Sequence, residues 1–126
     1  MTVVLDASAL LALLWSEPGS EVVADVLPGA LLSAVNLAEV CSKLVDRGVD
    51  GQAVRDLLLD LPIRIAGFDE RQALIAGEFR RATRSLGLSI GDRACLALAH
   101  VENATAMTAD RSWSGLGALA AVRLIR

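Results

Sequence analysis

The fold is decided by the stretch that opens the chain, TVVLDASALLALLW over residues 2–15. Thr2–Leu5 is a short run rich in β-branched residues, which predicts a strand. Ala7–Trp15 predicts a helix, and the turn formers of Glu17-Pro-Gly-Ser end it. Asp6 stands at the junction, where an acid at the end of an apolar strand is costly without a partner. We therefore expect Asp6 to have a function.

Strand-like and helix-like segments alternate along the rest of the chain. The further predicted strands are Ala30–Ser33, Ile63–Ala66, Thr105–Thr108 and Val122–Ile125. The further predicted helices are Glu21–Leu27, Val35–Asp46, a helix from the cap Asp50 through Leu59, Asp69–Ser85 and Gly91–Val101, while Leu116–Ala121 is helical or irregular. Such alternation implies parallel pairing with right-handed crossovers, and hence a small three-layer α/β sheet.

Two of the predicted helices have distinct surfaces. Asp69–Ser85 is predicted to be the longest helix, with an apolar stripe of Ile75, Phe79, Ala82 and Leu86 and with Arg80, Arg81 and Arg84 facing away. Gly91–Val101 is capped by Ser89 and is apolar on all sides, which predicts a central buried helix.

Composition sets the class of protein. The chain has 126 residues, of which 54% are hydrophobic, and this fits one domain over residues 1–126 with a real core. Cys41 and Cys95 lie in apolar helical patterns and read as small buried hydrophobes in a reducing cytoplasm. No apolar run is long enough for a membrane span, and the N-terminus does not resemble a signal peptide. The net charge of −3, taken alone, argues against nucleic-acid binding.

Four acids fall where ligands bind in open parallel sheets, beyond the carboxyl ends of the strands. Asp6 ends the first strand, Glu39 lies early in the helix after the second, Asp92 opens the buried helix, and Asp110 follows the strand Thr105–Thr108. Such acids repel each other unless a cation bridges them, and oxygen-rich sites suit Mg²⁺ or Mn²⁺. The chemistry they favour is phosphodiester hydrolysis.

Plainer interpretations remain open for three of these acids. Asp92 is also a good first-turn acid, Asp110 a good turn or cap residue, and Glu39 a good solvent-exposed residue. Other enzyme classes fit less well, because His100 is the only histidine and no phosphate-binding Gly-x-x-x-x-Gly-Lys loop occurs. Receiver domains and haloacid-dehalogenase-type phosphatases would want a second acid close to Asp6.

Four motifs together resemble the PIN-domain family, and within it the VapC toxins. They are Leu5-Asp6-Ala7-Ser8-Ala9, Asn36-Leu37-Ala38-Glu39-Val40, the segment SIGDRACLALA over residues 89–99, and Thr108-Ala109-Asp110-Arg111-Ser112-Trp113. They occur in family order and span the chain.

The resemblance implies a sheet of order 3-2-1-4-5, metal ligation by Asp6, Glu39, Asp92 and Asp110, and support from Ser8, Asn36 and Thr108. It implies a Mg²⁺- or Mn²⁺-dependent endoribonuclease with an RNA substrate, acting as the toxin beside a VapB-type antitoxin. Arg93 and Arg111 directly follow two of the acids and are candidates for pairing with them or with phosphate. The alternative is a non-catalytic PIN-like module that binds RNA or protein.

The apolar content points to partners. Mean hydropathy is +0.52, and the helices after Trp15 and Gly51 are rich in valine and leucine, namely Val22, Val23, Val26, Leu57, Leu58 and Leu59. We expect part of this surface to be exposed on the single chain. A homodimer would cover one exposed patch, and a groove left over would accept an amphipathic helix of the antitoxin. The alternative is a well-packed monomer.

Overall fold

A five-stranded parallel sheet forms the centre of the computed structural model, which describes all residues from Met1 to Arg126. The strands are β1 (Val3–Leu5), β2 (Leu31–Ser33), β3 (Arg64–Ala66), β4 (Thr105–Thr108) and β5 (Ala121–Leu124). Their order is β3-β2-β1-β4-β5, and every neighbouring pair is parallel. The predicted α/β class and strand order are confirmed.

Seven helices flank the sheet. They are α1 (Ala7–Leu14), α2 (Ser20–Val26), α3 (Ala34–Asp46), α4 (Gly51–Leu59), α5 (Glu70–Glu78), α6 (Arg80–Thr83) and α7 (Ile90–Glu102). Short 3₁₀ turns cover Arg84–Leu86 and Arg111–Gly115. None of these helices combines the length and the apolar character needed to cross a membrane.

The prediction of one long helix over Asp69–Ser85 is wrong. The chain is helical in α5, turns at Phe79, and continues as α6 and a 3₁₀ turn, so that α3 and α7 are the longest helices at 13 residues each. Gly77 lowers the helix propensity next to the break by about 1 kcal/mol relative to alanine. The hydroxyl of Thr83 also donates a 2.8 Å hydrogen bond to the carbonyl of Phe79, a contact that competes with regular helix geometry.

The apolar stripe predicted for this region is wrong in its second half. Ala82 and Leu86 are exposed, whereas Gln72, Ala76 and Thr83 are buried together with parts of Ile75 and Phe79. The buried polar side chains satisfy backbone carbonyls, as Gln72 Nε2 does by donating to Gly67 O at 3.1 Å. Polar residues with nearby hydrogen-bond partners thus lie on the buried face of this segment. A prediction from apolar residues alone therefore assigns the wrong face.

The central strand is covered on both faces. Val3 and Leu5 pack into one hydrophobic cluster with α1 and α3, and Val4 packs into a second with α7 and Trp113. A strand buried on both sides reads as a continuous apolar run, as Val3–Leu5 does. The predicted burial of α7 is confirmed from Ala94 to Ala99, and Ser89 caps it.

The edge strand β5 is tied back to the loop between α1 and α2. Gly19 has φ +95°, and a Cβ there would lie 2.6 Å from the carbonyl oxygen of Ile125. Arg126 Nη1 donates to Pro18 O at 3.0 Å and lies 3.9 Å from Glu17 Oε1. Glycine is therefore required at position 19 both by its backbone conformation and by the close approach of Ile125, the residue after β5.

The exposed apolar surface lies on α4 rather than on α2. Val23 is fully buried and Val22 and Val26 are half-buried, because they pack against the first cluster, so the expected exposed part of this surface lies on α4. Leu59, by contrast, is 82% exposed. An open apolar groove of about 320 Å³ runs between α3 and α4 and is lined by Leu37, Cys41, Val54, Arg55, Leu58 and Leu59.

Candidate active site

Asp6 lies at the carboxyl end of the central strand and caps α1. Its side chain is 3% exposed and accepts three hydrogen bonds. The Ser8 hydroxyl donates at 2.7 Å and the Ala9 amide at 2.8 Å to one carboxylate oxygen, while the Thr108 hydroxyl donates at 2.6 Å to the other. The carboxylate is therefore fixed in one orientation.

Ser8 and Thr108 also connect the ends of β1 and β4. Ser8 Oγ accepts a 3.0 Å hydrogen bond from the amide of Ala109, and Thr108 Oγ1 accepts one of the same length from the amide of Asp110. The two hydroxyl oxygens are 3.3 Å apart. The structure thus brings both predicted supporting hydroxyls to Asp6 and links them to the backbone of Asp110.

The pKa of Asp6 is raised from its ordinary 3.8 to about 6, chiefly because burial removes water from the carboxylate. The hydrogen bonds from Thr108, Ser8 and Ala9 lower the pKa, and the negative charge of Asp92 raises it. Burial prevails over three donors, so the charged form is held at a cost that a nearby cation would offset.

Glu39 reaches the first turn of α7 from the neighbouring helix α3. Its Oε1 occupies the space into which a Cβ on Gly91 would project. Asn36, one turn earlier on α3 and 1% exposed, donates through Nδ2 to the carbonyl of Gly91 at 3.0 Å. Its Oδ1 is buried and has no hydrogen-bond partner. Gly91 is a residue whose role sequence reasoning missed.

Asp92 and Asp110 are held by local backbone donors. Asp92 Oδ2 accepts from the amide of Ser89 at 2.9 Å, and the Ser89 hydroxyl accepts from the amide of Asp92, which forms a capping box. The exposed Asp110 accepts from the amide of Ser112 at 2.9 Å and caps the 3₁₀ turn. Both acids therefore make the contacts expected of a residue that caps a helix or turn. Each uses only one carboxylate oxygen for them.

Cys95 lies beneath the acids on α7. Burial raises the pKa of its thiol, and the charges of Asp6, Asp92 and Glu39 raise that pKa further. Because the Coulomb interaction falls with distance, the contributions of Asp6, Asp92 and Glu39 place three of the four predicted acids near this end of α7. Asp110 is the most exposed of the four acids, since Asp6 is buried and Glu39 and Asp92 are half-buried.

The acids are not drawn together into a closed metal cluster. No group of three acidic, histidine or cysteine side chains is close enough to hold one ion as the side chains stand. The one ion pair of the chain, Arg126 with Glu17, lies elsewhere, so no basic side chain neutralises these acids. All-oxygen donors, a buried carboxylate with a raised pKa and the unpartnered Oδ1 of Asn36 fit a hard divalent cation.

The two arginines that follow acids do not pair with them. Arg93 turns away and donates from Nη1 to the carbonyl of Ala76 on α5 at 3.0 Å. Arg111 is exposed and forms no ion pair. Neither arginine therefore pairs with the acid that precedes it, and the other half of the expectation, a contact with phosphate, stays a prediction. The only histidine, His100, is exposed on α7 and contacts Leu119 O.

The chain is similar in sequence to known proteins. The PIN domain family model matches residues 3–119. The ribonuclease VapC42 of Mycobacterium tuberculosis is 32% identical over 108 residues, which is 78% of this chain and 82% of that protein. The chain therefore belongs to the PIN domain family, and within it to the VapC ribonucleases.

Solved structures agree on the fold. A toxin–antitoxin complex from Klebsiella pneumoniae superposes with a TM-score of 0.80 at 16% identity and covers 99% of this chain and 98% of its own. FitAcB from Neisseria gonorrhoeae superposes with a TM-score of 0.70 at 27% identity and covers 96% of both chains.

Proposed function

We propose that this chain is a divalent-metal-dependent endoribonuclease that acts in the cytoplasm as the toxin of a toxin–antitoxin pair. The observation that carries the proposal is the buried carboxylate of Asp6, which ends the central strand, lacks a basic partner and lies near Asp92. Membership of the VapC ribonucleases supplies the substrate class. The net charge of −3 is compatible with RNA, because without the four site acids the remaining 11 of 15 acidic residues are outnumbered by 12 lysines and arginines.

The residues that would hold Mg²⁺ or Mn²⁺ are Asp6, Glu39, Asp92 and Asp110. The chemistry that such an ion supplies is the activation of water and the neutralisation of phosphate charge. The protein itself orients the carboxylates that would bind the ion. Ser8 and Thr108 fix the Asp6 carboxylate, and the capping contacts of Asp92 leave its other oxygen free to face a ligand. Burial around Asp6 keeps bulk water from competing for that carboxylate.

The first experiment is cleavage of total RNA by purified protein, with Mg²⁺, with Mn²⁺ and with a chelator, followed by mapping of the cut ends. We expect cleavage only with metal, and a loss of at least ~100-fold in Asp6→Asn, which keeps the shape but removes a ligand charge. Binding of RNA without any cleavage would favour the alternative, a non-catalytic module. Cleavage by Asp6→Asn at the wild-type rate would remove Asp6 from the site.

The toxin role requires a second test in cells. We expect induction of the chain to arrest bacterial growth and co-expression of the antitoxin encoded beside it to restore growth. Asp6→Asn should be harmless yet still bind the antitoxin, because Asp6 is buried away from the α3–α4 groove. Normal growth during strong expression of folded wild-type protein would contradict the toxin role while leaving the fold untouched.

We also propose that the α3–α4 groove takes an amphipathic helix of the antitoxin. The groove is apolar and open, and Leu59 at its rim is 82% exposed. Solved relatives of this fold are toxin–antitoxin complexes, which supports a partner of that kind.

A homodimer is the separate proposal for the apolar side chains outside the groove, among them Leu74 and Ile90. A monomer by light scattering would remove it.

A further inference from the structure

Gly91 occupies a helical position where glycine is unfavourable. It lies in the first turn of α7, and an alanine there would favour the helix by up to about 1 kcal/mol. A Cβ at this position would collide with Oε1 of Glu39 and would lie 3.4 Å from Nδ2 of Asn36. The space beside its Cα is therefore taken by a carboxylate from another helix.

Asn36 holds the two helices at this spacing. It is 1% exposed, its Nδ2 donates to the carbonyl of Gly91 at 3.0 Å, and it lies one helical turn before Glu39 on the same face of α3. Its Oδ1 is a buried acceptor without a donor. A buried amide that satisfies only one of its two ends is costly, and the contact it does make joins α3 to the first turn of α7 beside Glu39.

We propose that Gly91 and Asn36 are positioning residues for Glu39. Gly91 keeps open the space through which the Glu39 carboxylate reaches the start of α7, and Asn36 fixes α3 against that turn. Without them the flexible glutamate side chain turns out to solvent, where it has more rotamers and full hydration. This assignment rests on the proposed metal site, in which Glu39 is a ligand.

The collision at Gly91 involves the far end of a flexible side chain, so Gly91→Ala displaces Glu39 rather than unfolding the protein. Gly77→Ala in α5 is the matched control, because it is also a helical glycine and a Cβ there meets nothing within 4 Å. We expect both variants to fold, as judged by circular dichroism. We expect a Mn²⁺ dissociation constant at least ~10-fold weaker in Gly91→Ala and unchanged in Gly77→Ala, by calorimetric titration.

Double variants test whether Gly91 acts through Glu39. Glu39→Ala should weaken Mn²⁺ binding, and adding Gly91→Ala to it should weaken binding no further, because the carboxylate is already gone. Asn36→Leu, which has a similar volume, should weaken binding in the wild-type background and much less in Glu39→Ala. Wild-type affinity in Gly91→Ala, or an equal loss with and without Glu39, would overturn the assignment.

Thermal unfolding of the metal-free protein gives a readout that does not depend on the metal site. Gly91→Ala should raise the Tm more in the Glu39→Ala background than in the wild-type background, because only the latter must expel a carboxylate. Gly77→Ala should raise the Tm equally in both. Equal gains for Gly91→Ala would show that the two residues do not interact. If the wild type binds no Mn²⁺, the proposed metal site fails, and this thermal comparison still decides the positioning claim.

Discussion

The hydroxyl of Thr108 donates a 2.6 Å hydrogen bond to the carboxylate of Asp6, although 102 positions separate them along the chain. The contact exists because β1 and β4 are parallel neighbours, with Leu5 opposite Met107, so that both strands end at the same edge of the sheet. It places a neutral donor on a carboxylate whose pKa is about 6, because burial raises that pKa by more than the hydrogen bonds, this one first among them, lower it.

Thr108→Val should destabilise the protein and raise the pKa of Asp6 further. The substitution keeps the shape of the side chain but removes a donor to a buried charged group, at a cost of about 1.5–3 kcal/mol. It also leaves the amide of Asp110 without its acceptor. Urea unfolding at pH 7.5 measures the loss. Thr108→Ser, which retains the hydroxyl, is the control and should lie much nearer the wild type; equal losses in both variants would assign the effect to packing.

Metal-free protein should become less stable as the pH rises through about 6. The folded state holds the proton of Asp6 more tightly than the unfolded chain, because its folded pKa is about 6 against an ordinary 3.8. The stability that this group contributes is therefore fully present below pH 3.8 and is lost as the pH passes 6, in total about 3 kcal/mol. Urea unfolding between pH 5 and pH 8 in a chelator measures the decline.

Asp6→Asn provides the comparison for that titration, because it cannot ionise. We expect the free energy of unfolding of the variant to exceed that of the wild type by an amount that grows between pH 5 and pH 7. Parallel profiles for the two proteins would mean that Asp6 titrates near its ordinary pKa.

Gly19→Ala should destabilise the protein strongly. Its positive φ already disfavours any side chain, and a Cβ would lie 2.6 Å from the carbonyl of Ile125, which is backbone and yields little. We expect a loss of about 1–3 kcal/mol from the strained conformation alone. Thermal unfolding measures it. Gly48→Ala is the control, since Gly48 has φ +84° but a Cβ there would meet nothing within 4 Å. An equal loss of stability in both variants would show that the contact with Ile125 adds nothing to the cost of the strained backbone.

Leu59→Lys should weaken antitoxin binding at least ~10-fold without affecting RNA cleavage, because burying an unpaired ammonium in an apolar groove is costly. The side chain is 82% exposed in the free chain, so stability should change by less than about 0.5 kcal/mol. Calorimetric titration with the antitoxin measures the change. Leu74→Lys, exposed but outside the groove, should bind normally. Equal weakening in both variants would point to a nonspecific loss of surface apolarity.

Strand ends were predictable, whereas contacts between helices were not. A common sheet edge for Asp6 and Thr108 could be predicted, because each follows or ends an apolar strand and parallel strands align their carboxyl ends. That their two strands are neighbours was implied only by the resemblance to PIN domains. The part played by Gly91 could not, because it depends on Glu39 arriving from another helix, and a glycine before an acid carries no signal of that approach. Gln72 and Thr83 were missed for a related reason: they are buried through hydrogen bonds to carbonyls, which hydrophobic periodicity does not register.

The central place of β1 in the sheet has a consequence for biosynthesis. A ribosome makes Asp6 102 residues before Thr108, yet one flank of the strand β1 is closed only by β4, which carries Thr108. A nascent chain interrupted before Thr105 has no donor for one oxygen of the Asp6 carboxylate and no Asp110. The acidic edge of the sheet therefore forms only after β4 has been made, so that products of the same messenger RNA that end before Thr105 lack the proposed site.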